Sequence, residues 1–273
     1  MNRKQNKLYF STSKVMGILN LTSNSFYDGG KYNNTKKILI QTKKMINEGA
    51  NIIDIGAQSS RPGSNEISEE EELNRIIPSL IEIRKKFPNV LISIDTYRAK
   101  VAEESINNGA DIINDISSGD LDQNMFSIIA KYKVPYIIMH MLGTPKKMQD
   151  NPTYKNVVDD IINYFQQKIE ILNNLGVDNL IIDPGFGFGK TLEHNYEILN
   201  NLEKFKCLKY PILVGVSRKS MVYKLLDTDA NQALNGTSVA NTIALTKGTD
   251  ILRVHDIKEA VECIKIVNFA QNK

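Results

Sequence analysis

Cysteine is scarce: Cys207 and Cys263 lie far apart, and neither has a second Cys or a His at metal-ligand spacing. That argues against a disulfide framework or a structural zinc site, and reduced thiols suit a cytoplasmic protein. The start, MNRKQNKLYFSTSK, has no apolar core of signal-peptide length. No run approaches the roughly 18 apolar residues of a membrane span. Neither sign of charge dominates, with 34 basic against 31 acidic residues. Nothing therefore advertises nucleic acid or a membrane surface, and a phosphorylated substrate would need only a local basic patch. The three histidines, His140, His194 and His255, show no HExxH or other zinc spacing, and His194 reads as a surface residue of a helix. No G-x-S-x-G elbow supports a hydrolase triad.

One motif invites a wrong answer. Residues 185–191 read GFGFGKT, but a phosphate-binding P-loop needs a glycine where Pro184 stands. The spacing of a dinucleotide fingerprint fails too. The segment is expected to be a glycine-rich turn that lets the backbone approach a ligand.

What the chain does contain is a rhythm. Apolar runs of strand length recur at about 15–20, 52–56, 90–95, 111–116, 135–140, 179–183, 211–217 and 250–254. Segments of helical spacing separate them. In 154–175, Val157, Val158, Ile161, Ile162, Phe165, Ile169 and Leu172 step by three or four to make one apolar face. Another segment starts at Ser68 with Glu71 three residues on, a capping-box signature. The acidic run Glu69–Glu72 then falls in a first turn, where it complements the helix dipole and is expected to be solvated. Eight βα units in this length imply an α/β fold, a single-domain (β/α)8 TIM barrel over residues 15–270 preceded by an N-terminal extension, 1–14. An open doubly wound sheet is the alternative.

In such a barrel, chemistry sits at the C-terminal strand ends. Reading each end in turn gives Asn20, then Gln58 with Ser60 and Arg61, then Asp95. Asn114 with Asp115, His140, Asp183, Ser217-Arg218-Lys219, and Arg253 with His255 follow. Any one can be a helix N-cap; eight together favour a ligand site, because a buried carboxylate needs a partner. Asp95, Asn114 and Asp183 suit a flat heterocycle with N–H donors and a carbonyl. Arg218, Lys219, Arg253 and His255 form a basic cluster after strands seven and eight, and Arg61 adds a guanidinium able to grip phosphate. The ligand this demands is a planar polar ring carrying a phosphate.

The segments MGILNLTSNSFYDGG, NIIDIGAQSSRPGS, ISIDTYRAKVAEESINNGADIINDIS, MHMLGTPKKMQDNPTY, IIDPGFGFGKTLEHN, VGVSRKSM and ILRVHD, in this order, resemble the signatures of the dihydropteroate synthases from about residue 15 to 267. The resemblance implies a homodimeric barrel using Mg2+, which joins p-aminobenzoate to 6-hydroxymethyl-7,8-dihydropterin pyrophosphate. It implies that Asp95, Asn114, Asp183 and Lys219 hold the pterin, with Met139, Phe188 and Gly215 lining its slot. Asn20 matches the magnesium ligand beside the pyrophosphate, and Ser60, Arg61, Arg253 and His255 match the pyrophosphate contacts. Lys219 and Ser220 border the p-aminobenzoate site, while Asp28 and Arg61 belong to loops that close over the substrate. The catalytic set is then Asp28, Arg61, Asp95, Asp183 and Lys219.

The implied mechanism is leaving-group activation, with no protein nucleophile. The chain departs from the family pattern where Pro-Asp becomes Ser23-Asn24, Glu becomes Gln58 and Thr becomes Ser60. Ser60 keeps a hydroxyl; Asn24 and Gln58 each lose a carboxylate. These departures fall in the loops and leave the pterin positions intact. Two rivals stand beside this reading. A methyltetrahydrofolate methyltransferase-like barrel needs no pyrophosphate site, and Arg61, Ser217-Arg218-Lys219 and Arg253-Val254-His255 argue against it; a non-catalytic pterin-binding barrel would not turn over.

Overall fold

Eight parallel strands form: β1 (Lys14–Asn20), β2 (Ile52–Gly56), β3 (Leu91–Asp95), β4 (Ile112–Asp115), β5 (Tyr136–Met139), β6 (Leu180–Asp183), β7 (Leu213–Val214) and β8 (Ile251–Val254). The structure, a computed structural model, describes residues 11–21, 30–57, 66–144, 148 and 151–271. The strands pair in the order β6-β5-β4-β3-β2-β1-β8-β7. The two ends meet through a parallel bridge between Ile182 and Ile212, and the Ile182 N–H donates to the Pro211 carbonyl at 2.9 Å. The sheet thus closes into a barrel, which rules out the open doubly wound alternative. Pro211 has no N–H to give, but its carbonyl still serves the ladder.

The expected eighth-strand and second-strand positions match closely, whereas β7 is much shorter than the apolar run 211–217. From Gly215 onward the chain leaves the β8 ladder. There the Ser217 hydroxyl accepts from the His255 N–H at 3.1 Å, and Arg218 takes a left-handed backbone conformation (φ 54°).

Around the barrel lie α1 (Gly30–Asn47), α2 (Glu69–Lys86), α3 (Ala99–Asn107), α4 (Met125–Tyr132), α5 (Val157–Asn174), α6 (Leu192–Asn200), the short α7 (Ser220–Tyr223), α8 (Leu234–Thr246) and α9 (Ile257–Ala270). A 3-10 turn, Leu202–Leu208, precedes β7. α5 buries Val157, Val158, Ile161, Phe165 and Leu172 of its expected stripe. Ser68 caps α2 by accepting from the Glu71 N–H at 3.1 Å, while the Glu71 carboxylate turns to Arg75. Glu72 corrects the expectation of a solvated acidic face. It is 2% exposed and pairs with Arg98 at the start of α3, so it ties two helices together.

Side chains alternate across a strand, and here that rule sorts the whole barrel. Met16, Ile52, Leu91, Ile112, Ile137, Ile181, Leu213 and Ile251, one from each strand, pack into a single apolar plug near the strand starts. The intervening residues, such as Ile53, Ile92, Tyr136 and Leu252, face outward into the main core beneath the helices. Each buried Ile or Leu of the plug stabilises by about 1.5–3 kcal/mol. The next inward position on each strand lies one layer nearer the C-terminal end.

Candidate active site

Two residues beyond the plug, the inward layer is Ile18, Asp54, Ser93, Asn114, Met139, Asp183, Gly215 and Arg253. One step further on β3 comes Asp95. The register pairs Asp54 with Ser93, and Asp95 with Asn114, across neighbouring strands. Polar groups so close together inside a barrel must satisfy one another. The Arg253 Nε donates to Asp54 Oδ2 at 2.7 Å and its Nη2 to Asp95 Oδ2 at 2.7 Å. The Asn114 Nδ2 donates to the same Asp54 oxygen at 3.2 Å. Burial would lower the Arg253 pKa, but Asp54 and Asp95 outweigh it and hold the guanidinium firmly charged. Burial pushes the Asp95 carboxyl up to about 7 despite the opposing pull of Arg253.

Across the barrel, Asp183 ends β6 with Oδ1 accepting from the Gly185 N–H at 2.8 Å. Burial raises its pKa, and Lys219 opposes the rise. The Lys219 ammonium donates to the Phe186 carbonyl at 2.6 Å and lies 4.7 Å from the centre of the Phe188 ring. Burial lowers its pKa to about 8, with Asp183 holding it up. Met139 and Phe188 form the apolar wall, packed with Ile116 and Met148. At Gly215 an added Cβ would meet nothing nearer than Arg253 Cβ at 3.8 Å, so a missing side chain leaves open space in the inward layer. At the rim, the Ser217 hydroxyl lies 3.0 Å from His255 Nδ1 and fixes an exposed imidazole, and Ser220 starts α7 directly after Lys219. Asn20 closes β1 half-buried at the same end of the barrel.

The expected convergence is therefore present for Asp95, Asn114, Met139, Asp183, Phe188, Gly215, Lys219 and Arg253. Three polar strand-end residues do not belong to it. Asp115 has outward parity: its carboxylate takes the Tyr136 hydroxyl at 2.7 Å and the Ser117 and Gly119 N–H groups at 2.8 Å, which makes it a structural turn residue. His140 also faces outward, against Lys190 and the rings of Tyr154 and Tyr164. Arg218 is committed to a bidentate pair with Asp256, 2.8 Å on each arm, and to the carbonyls of Ala230 and Asn231. Asp28, Gln58, Ser60 and Arg61, with Ser23 and Asn24, lie outside the described residues.

The glycine-rich turn also needs correcting. Gly185, Gly187 and Gly189 all have positive φ. A Cβ at Gly185 would fall 1.9 Å from the His140 carbonyl oxygen, and one at Gly189 would fall 2.8 Å from that of Leu142. Gly185 and Gly189 therefore admit the loop after β5, a close approach of protein to protein. Lys190 is buried beneath this turn, 3.0 Å from both His140 Nδ1 and the Phe188 carbonyl oxygen. Sequence reasoning missed Lys190, Ser93 and, above all, Asp54. Counting by two along IIDIG from the plug residue Ile52 would have found Asp54. A separate cleft of about 550 Å3 opens at the opposite end, lined by Ser13, Asp178, Lys206, Tyr210 and Asp250 among others. None of the paired carboxylates above reaches it.

Residues 16–255 match the model of a family described as pterin binding enzyme. The chain belongs to that family. A dihydropteroate synthase of Haemophilus influenzae is 43% identical over 261 residues, which is 95% of this chain and 94% of that protein. The Escherichia coli K12 dihydropteroate synthase is 44% identical over 262 residues, 95% and 92% of the two chains. Among solved structures, a Yersinia pestis dihydropteroate synthase in complex with a sulfonamide drug superposes with a TM-score of 0.91 at 43% identity, covering 97% of each chain. A Xanthomonas albilineans dihydropteroate synthase bound to 4-aminobenzoic acid gives 0.90 at 32% identity, covering 97% of this chain and 96% of that one. Within a pterin-binding family, an inward layer of acceptors beside an apolar wall has an evident use, since a pterin is flat and edged with N–H donors.

Proposed function

We propose that this chain is a dihydropteroate synthase, which joins 6-hydroxymethyl-7,8-dihydropterin pyrophosphate to p-aminobenzoate and releases pyrophosphate. The observation that carries the reading is one constellation. Asp95, Asn114 and Asp183 supply acceptors beside the Met139–Phe188 wall, and Arg253 is charged at the edge of the same layer. Asp183 and Asp95 accept from the ring, Asn114 from its edge, and Lys219 donates to a ring acceptor. The C–O bond between the pterin methylene and the pyrophosphate breaks as the arylamine nitrogen attacks, and the amine loses a proton. Carboxylates on the ring favour the cation-like methylene, while Arg253, His255, Ser60 and Arg61 take up the charge growing on the leaving group. Lys219 and Ser220 border the arylamine, and Asp28 with Arg61 closes the site against water.

Among the described residues no group of three His, Cys, Asp or Glu is placed to hold a metal. A hard cation takes oxygen ligands and keeps close to phosphates, so the Asn20 amide oxygen fits a Mg2+ that arrives on the pyrophosphate. When bound, that ion would neutralise charge on the leaving group. We assign the reaction to the cytoplasm and the working unit to a homodimer. Support for the latter is an apolar surface on α8 and α9, where Val239, Ile266 and Phe269 are exposed.

The test is pyrophosphate release by purified protein given the pterin pyrophosphate, Mg2+ and p-aminobenzoate, each omitted in turn. Release that needs all three, with dihydropteroate as product, is expected. Binding of the pterin pyrophosphate without turnover would sink the reading and leave a pterin-binding barrel that has lost its chemistry.

A further inference from the structure

We propose that Asp54, in the middle of β2, is a positioning residue whose carboxylate sets the guanidinium plane of Arg253 and the amide orientation of Asn114. The inference rests on reading this layer as the pterin pyrophosphate pocket. Asp54 is fully buried, and its Oδ2 accepts from both Arg253 Nε (2.7 Å) and Asn114 Nδ2 (3.2 Å). An ionised carboxylate only accepts. Asn114 must therefore turn its NH2 toward β2, which leaves its amide oxygen to face a ligand as an acceptor. The same carboxylate engages Arg253 at Nε while Asp95 holds Nη2. Nη1 has no partner among the described residues, so one arm of the fork is left for an anion.

Packing alone does not call for a charge at this position. Ile18, its register partner on β1, occupies the same layer with a half-buried apolar side chain. The Asp54 Oδ1 and the neighbouring Ser93 Oγ are buried with no hydrogen-bond partner among the described residues. An ion pair buried with an oxygen left over is a poor way to stabilise a core. It is a good way to hold two ligand-facing groups in one geometry, because a single oxygen ties β2, β4 and β8 together.

The test is a mutant cycle in the full chain, combining Asp54→Asn with Arg253→Gln and Asn114→Ala and titrating dihydropterin pyrophosphate by calorimetry. Asp54→Asn alone is expected to weaken binding by about tenfold to a hundredfold, the loss typical of a charge-assisted hydrogen bond. Added to the Arg253→Gln/Asn114→Ala background it should cost nothing more; a full additive loss would overturn the proposal. A second readout needs no ligand. The Arg253 Nε–Hε proton, bonded to Asp54 Oδ2, is expected to exchange slowly by NMR in the wild type and faster in Asp54→Asn, and equal exchange in the two would also overturn it. Asp54→Ser runs the same cycle if Asp54→Asn does not fold. A wild-type protein that fails to bind the pterin pyrophosphate removes the reaction proposed above, whereas the Arg253 signal still reports whether Asp54 orients it.

Discussion

Asp183 is a buried carboxylate whose second oxygen is left for a ligand once Gly185 has taken the first. Asp183→Ala should weaken pterin binding by about 1.5–3 kcal/mol, since a ring donor loses a charged acceptor; calorimetric titration would read it, and unchanged affinity would mean the pterin sits elsewhere. Asp95 and Lys219 together set a pH window. If Asp95 holds the ring as proposed, its carboxyl, raised to about 7, accepts most strongly when ionised, so binding should weaken as pH falls through that value. Lys219, lowered to about 8, keeps its charge only below it. Activity should therefore peak between about 7 and 8, and Asp95→Asn should remove the acidic limb of the profile while leaving the alkaline one. A pH–rate profile with an unshifted acidic limb in that variant would assign the limb to another group.

Secondary elements explain how these side chains are held. The turn between β6 and α6 is threaded against the loop after β5 so closely that glycine is obligatory at 185 but not everywhere φ is positive. Gly176 also has a left-handed backbone (φ 72°), yet its added Cβ would meet only Lys133 Nζ at 4.0 Å. Gly176→Ala should cost about 1 kcal/mol of backbone strain, whereas Gly185→Ala must move the His140 carbonyl and should cost several times that. Denaturant melts of the two variants compare them directly, and equal losses would show that sterics at His140 are relieved cheaply. Lys190 secures the same turn. Removing its amino group in Lys190→Met leaves the buried carbonyls of Phe188 and His140 without that donor, a loss of about 1–3 kcal/mol for each that thermal unfolding would reveal. If the Met139–Phe188 wall holds the pterin as proposed, affinity should fall with it.

The barrel interior divides along its axis. An apolar plug fills the strand starts, and the buried charges of the interior lie in the layers above it. That separation lets the fold hold Asp54, Asp95, Asp183, Lys219 and Arg253 within one barrel without breaking the core. On the outside, Ile266 and Phe269 of α9 are 68% and 88% exposed, and Val239 of the neighbouring α8 is exposed too. If a second copy covers them, Phe269→Glu should shift the protein from dimer to monomer in sedimentation without changing its melting profile at low concentration. A wild-type monomer would dispose of the homodimer.

Barrel class and strand count were legible because short apolar runs and period-3.6 patterns are local: Ile52–Gly56 and Val157–Asn174 each show their burial in their own sequence. Much of the inward layer was legible for the same reason, since Asp95, Asn114 and Asp183 stand at or near the ends of apolar runs and converge with polar groups from other strand ends. Parity was the limit. Asp115 and His140 stand one residue from inward positions, and only the ring made by all eight strands decides which side of the sheet is interior. Arg218 looked like a phosphate ligand until folding brought Asp256 beside it from the loop after β8. Asp54 looked like one more strand residue until β8 delivered Arg253 across 199 positions of sequence. Local pattern set which segments become strands and helices, because propensity and amphipathicity act over a few residues. The partner of each buried charge was settled only by closing the barrel, because a buried ion is stabilised by whatever chain the fold places within about 3 Å of it, however distant in sequence.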